Sequence, residues 1–80
     1  MGYTYNYSTI VRVDELIPFK FDKKKARRNY NKLQGGLPFE AINVKEEALN
    51  AYRVTKGHTI AAAHILCGKT KINARVTATL

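Results

Sequence analysis

Between Tyr3 and Val13 the chain alternates, with Tyr3, Tyr5, Tyr7, Thr9, Val11 and Val13 on one side and Thr4, Asn6, Ser8, Ile10 and Arg12 on the other. A repeat of two is that of a β-strand, and β-branched and aromatic residues suit its pleated, half-buried surface. Lys71 to Leu80 alternates more regularly still: Ile72, Ala74, Val76, Ala78 and Leu80 face one way, Lys71, Asn73, Arg75, Thr77 and Thr79 the other. A second strand is predicted there.

The period changes between these two segments. After Pro18, Asp22 stands where it can cap a helix whose apolar stripe is Ala26, Tyr30 and Leu33, at spacings of four and three. Gly35-Gly36 stops that helix, since glycine readily takes the left-handed conformation that closes a last turn. Leu37 to Ile42 reads as a short strand limited at its start by Pro38. Asn43 followed by Glu46 has the spacing of a capping box and predicts a second helix from Val44 to about Tyr52, with Glu46 and Glu47 at its positive end. The apolar run from Thr59 to Cys67 fits a short helix or a strand buried on both faces. The flanking Lys56-Gly57 and Gly68-Lys69 read as turns and favour the strand, which would form a C-terminal antiparallel hairpin or meander with Lys71–Leu80. The expected class is α+β: a small antiparallel sheet, made from the N-terminal strand and the C-terminal hairpin, packed with one or two helices.

At 80 residues and 9.0 kDa the chain has room for one domain, residues 1–80, against roughly 100 to 200 residues for a usual one. With 45% hydrophobic and 25% charged residues it is apolar enough to fold. So small a domain has little core to spare for a deep catalytic cleft, so a surface binding site is expected and an enzyme is not.

Charge changes the picture most. Fourteen Lys and Arg against six Asp and Glu give a formal net charge of +8, and the segment from Lys20 to Lys32 supplies +6 of it, with Asp22 its one acid. Cations packed this densely repel one another, a cost that a polyanion relieves. The bland alternative is a solvated helix face. Asn29, Tyr30 and Asn31, interleaved with the charges, add a stacking surface and amide groups to the phosphate-neutralising cations. Lys23, Lys24, Lys25, Arg27, Arg28, Tyr30 and Lys32 are therefore the candidate nucleic-acid-binding residues. Tyr3, Tyr5 and Tyr7 recur along one strand face at about 6.6 to 6.8 Å, near twice a base-stacking distance, and form a second candidate. Such a row also covers cores with its hydroxyls in water. Phe19 and Phe21 are read as anchors that hold the basic segment to the core.

Other chemistries find little support. Gly68-Lys69-Thr70 resembles the end of a phosphate-binding loop, but Ala63 stands where the pattern needs glycine and a strand follows where it needs a helix. His58, His64 and Cys67 lack a third partner for a metal, and no paired carboxylates or nucleophile and base are positioned by spacing. No cofactor is implied. A helix-turn-helix over Val44–Gly68 fails on its glycine spacing.

The expected partner is nucleic acid, DNA or RNA, bound mainly through phosphates. The alternative is an acidic protein surface, with the chain acting as a small regulator or inhibitor of the viral accessory kind. A third and weaker alternative is a small phosphorylated ligand. The single cysteine, Cys67, and the lack of a signal peptide or an apolar span point to a cytoplasmic protein without membrane contact. If Lys71–Leu80 lies at a sheet edge, its open backbone groups would pair with a second copy, giving a homodimer.

Overall fold

The computed structural model describes residues 2–35 and 41–79, without the side chain of Leu33. Four strands and two α-helices follow one another as β1 (Thr4–Arg12), a 3-10 turn (Val13–Glu15), α1 (Lys23–Gln34), β2 (Ile42–Ala48), β3 (Ala51–Lys56), α2 (His58–Leu66) and β4 (Lys71–Thr79). The α+β class holds. The sheet is mixed rather than wholly antiparallel: its order is β1-β4-β2-β3, with β1 antiparallel to β4, β4 parallel to β2 and β2 antiparallel to β3.

Both alternating segments form strands, and their inward residues are those the alternation marks. Ile72, Ala74, Val76 and Ala78 of β4 are buried while the residues between them face outward. Cross-strand register puts Val11 beside Ile72, Thr9 beside Ala74 and Tyr7 beside Val76, and on the other side Ile42 beside Ala74 and Val44 beside Val76. Val11, Ile42, Val44, Ile72, Ala74 and Val76 of these rows, with Leu16, Val54 and Ala61, make the core; Tyr7 packs against it and Thr9 is exposed. The outward rows carry Asn6, Ser8, Arg12, Lys45, Arg53, Thr55, Lys71, Asn73, Arg75 and Thr77.

Two expectations fail, and the premise of a third goes with them. The helix predicted for Val44–Tyr52 is instead the β2–β3 hairpin, turned at Leu49-Asn50 with Asn50 in the left-handed region at φ 58°. Glu46, read as part of a capping box, accepts a hydrogen bond from the Tyr7 hydroxyl at 3.0 Å, and Glu47 pairs with Arg53 across the hairpin. The strand expected for Thr59–Cys67 is the helix α2, so the C-terminal hairpin does not exist. Three consecutive alanines, Ala61–Ala63, favour helix over strand by intrinsic propensity, and all three are buried. With that hairpin gone, β4 pairs with β1 and β2 and lies inside the sheet, while β1 and β3 form its edges. The open strand on which the homodimer expectation rested is therefore filled from within the chain.

The expected strand at Leu37–Ile42 falls mostly outside the described residues, as do Gly36 and Leu80; Ile42 itself begins β2. At the entry to α2, Gly57 has φ 89°, and a side chain there would stand 2.9 Å from Ile42 Cγ2. Only glycine meets both demands, a left-handed backbone and close approach to β2.

Candidate functional site

Helix α1 has the cap its sequence promised. Asp22 Oδ1 accepts hydrogen bonds from the backbone N–H of Lys24 at 2.9 Å and of Lys25 at 3.1 Å, satisfying two of the donors a helix start leaves open. Ala26 is fully buried where α1 packs beside α2, and Asn29 and Tyr30 are half-buried on the same flank. The cations of the helix are turned to solvent: Lys23, Lys24, Lys25, Arg27, Arg28 and Lys32 are all exposed.

These six cations have no acidic partner among the described residues, where the ion pairs are Arg12–Asp14 and Arg53–Glu47, both away from α1. Their placement works against the helix. Lys23, Lys24 and Lys25 fill the first turn, where no acid is present and the helix dipole is positive; each cation there is disfavoured by about 0.3–1 kcal/mol. Lys23 with Arg27, Lys24 with Arg28 and Arg28 with Lys32 stand four residues apart, like-charge pairs that each cost about 0.2–0.5 kcal/mol.

Tyr30 closes one side of a groove of about 680 Å³ lined also by Phe21, Lys23, Arg27, Asn31 and Leu66. Its hydroxyl accepts a hydrogen bond from Gln34 Nε2 at 2.7 Å, one turn further along. Phe21, read from sequence as an anchor, is 41% exposed and lines the same groove, whereas Phe19 does pack on the core. The rings of Phe19 and Phe21 lie 6.0 Å apart, and Phe19 meets His58 edge-on at 5.8 Å. Leu66 was invisible as a site residue because its neighbourhood depends on α2 being a helix.

The tyrosine row of β1 is divided by the fold. Tyr7 packs against the core and donates its hydroxyl to Glu46; partial burial first, and then this carboxylate, push its pKa up to about 12. Tyr5 stacks on Tyr7 at 5.9 Å with 23° between the rings, and Tyr3 is largely exposed. Tyr5 and Tyr7 lie on β1 and Tyr3 just before it, whereas the basic residues lie on α1.

A second hollow, of about 540 Å³, was not foreseen. Ser8, Ala41, Asn43, Lys56, Gly57, Ile60 and Arg75 line it, drawn from β1, β2, β3, α2 and β4. Their convergence follows from the strand order and left no local trace in the sequence. Among the described residues no three His, Cys, Asp or Glu side chains come together as a metal site, and His64 Nδ1 lies 2.8 Å from the Ile60 carbonyl oxygen. No helix among them is long and apolar enough to cross a membrane.

No family model matches the chain, and no curated protein does so by sequence. The fold is nevertheless shared with solved structures. Sulfiredoxin from Arabidopsis thaliana superimposes with a TM-score of 0.71 at 16% identity, over 88% of this chain and 83% of its own. The C-terminally truncated chromosome-partitioning protein ParB from Caulobacter crescentus, complexed with CTP-gamma-S, also gives 0.71, at 14% identity over 88% of this chain. The likeness spans 43% of that ParB chain, so less than half of it is represented here. At these identities the likeness establishes the fold. It also corrects the expectation that so small a chain is not an enzyme, because sulfiredoxin is one and has this fold. Size does not exclude catalysis here: side chains gathered on the surface of a sheet-and-helix unit need no deep interior to work.

Proposed function

We propose that this protein binds nucleic acid through the exposed face of α1, with Lys23, Lys24, Lys25, Arg27, Arg28 and Lys32 neutralising phosphates and Tyr30 packing beside them. One observation carries the reading: six exposed cations without acidic partners among the described residues, clustered where they oppose the stability of their own helix. Features that break a local rule without a structural gain are expected where function requires them. The shared fold with a chromosome-partitioning protein is compatible with this partner class. Phosphate contacts position a protein without reading bases, so little sequence preference is expected.

Binding to a labelled oligonucleotide across a salt series tests it. Six engaged phosphates on duplex DNA give a log–log slope of about −5, and the variant carrying Lys24→Glu, Arg27→Glu and Arg28→Glu should flatten it by about 2.7. A slope near zero, or one that the triple variant leaves intact, would show that the charges serve something else.

A nucleoside triphosphate is the second reading, favoured by the second hollow. There Lys56 and Arg75 stand with Ser8, Asn43 and the Gly57 entry of α2, and the ParB structure of the same fold is complexed with CTP-gamma-S. Calorimetric titration with CTP and ATP measures it; absence of heat from either removes it.

A further inference from the structure

The groove beside α1 has a composition that phosphate binding does not explain. Phe21 is 41% and Leu66 56% exposed, and with Tyr30 they place three apolar side chains at the surface next to Lys23 and Arg27. Exposed apolar walls are costly in water and mark ligand sites when polar groups converge on them. Two features hold the walls in place. Tyr30 is tied at its hydroxyl to Gln34, and Phe21 is backed by Phe19, which packs on the core and against His58. At about 680 Å³ the space is within the range of sites for small ligands.

We infer that this groove takes an unpaired nucleobase, so that the preferred form of nucleic acid is single-stranded. The base packs between Phe21 and Tyr30 over Leu66, Asn31 supplies an amide to its edge, and Lys23 and Arg27 hold the phosphates on either side. Every base has an apolar face, so this arrangement grips a strand whatever its sequence. A duplex keeps its bases stacked inside and offers α1 only phosphates, leaving the apolar walls in water. The inference rests on the proposed binding of nucleic acid by α1 and adds which form it takes.

Fluorescence anisotropy with three labelled probes of equal length separates the two levels: a single strand, the corresponding duplex, and an abasic strand with the same phosphates. The single strand should bind at least tenfold more tightly than the abasic strand. Phe21→Ala and Tyr30→Ala should each weaken it about 5- to 150-fold, the range for one stacked base, while leaving the abasic strand nearly unchanged. The chain has no tryptophan, so Phe21→Trp supplies a single tryptophan, excited at a wavelength the tyrosines do not absorb, that keeps the wall. Its fluorescence should be quenched by the single strand and not by the abasic one, a readout that also shows the groove is folded. If all three probes bind equally and Phe21→Trp emission is unmoved, the base site is wrong and phosphate binding stands. If none of the three binds, the nucleic-acid reading falls and the base site with it.

Discussion

The two helices are built on opposite terms. Helix α2 is uncharged but for two histidines and is held by its surroundings: Ala61, Ala62 and Ala63 are buried, and its entry is closed by a glycine pressed against Ile42. Among its described side chains helix α1 buries only Ala26 fully; it begins with three lysines in its first turn and relies on Asp22 for its start. Burial accounts for the three alanines of α2 but not for its exposed Ile65 and Leu66, and among the described residues no acid pairs with the cations of α1. Where packing decides a position, sequence reports on stability; where it does not, a costly pattern is the place to test for the proposed partner.

That contrast breaks first, if it breaks, at the glycines. Gly57→Ala should destabilise the protein by about 2–4 kcal/mol in urea unfolding, because the left-handed backbone and the contact with Ile42 are both violated. Gly68, at φ 75° with open space around it, should lose only about 1–2 kcal/mol on the same change. Equal losses at the two sites would mean that α2 is not seated on β2 as described.

Alkaline pH probes the sheet beneath α2 and leaves the α1 comparison sharper. Tyr7 holds its proton more tightly folded than unfolded, so its contribution is complete below pH 10 and is lost as pH rises toward about 12. Two units correspond to at most about 2.7 kcal/mol, and solvent contact brings the expected loss nearer to 1 kcal/mol. Unfolding titrations from pH 9 to 12 should show this loss in the wild type and not in Tyr7→Phe.

Smaller effects, of opposite sign, separate cap from charge within α1. Asp22→Ala should cost about 1 kcal/mol by removing the helix cap. Lys24→Glu should stabilise the protein by about 0.3–1 kcal/mol, since it places an acid at the positive helix end, while weakening nucleic-acid binding. A Lys24→Glu variant that loses stability would show that the first-turn cations support the fold rather than oppose it.

Much of this was legible along the chain, though not where the signals were densest. β1, α1 and β4 could be read because one periodicity and one set of end signals agreed: Asp22 before the helix, strict alternation through Ile72, Ala74, Val76 and Ala78. The β2–β3 hairpin carries alternation too, in Ile42 and Val44 and then Tyr52 and Val54, but Asn43 and Glu46 imitate a helix start at the same place. The competing signals were settled by distant residues, since Tyr7 engages Glu46 from another strand. For Thr59–Cys67 the apolar run had no period to read, and the choice fell to the helix propensity of its alanines and to a sheet already complete without it.

By itself the amino-acid sequence determined the class of the fold, the two outer strands of the chain, the basic helix and its cap, and the electrostatic identity of the candidate site. Those features depend on interactions between near neighbours, within a few residues along a strand or a turn. The strand order, the interior place of β4, the conversion of an expected helix into a hairpin, and the meeting of Phe21, Tyr30 and Leu66 were decided only in three dimensions. Each is fixed by contacts between residues far apart in the chain, which no local pattern records.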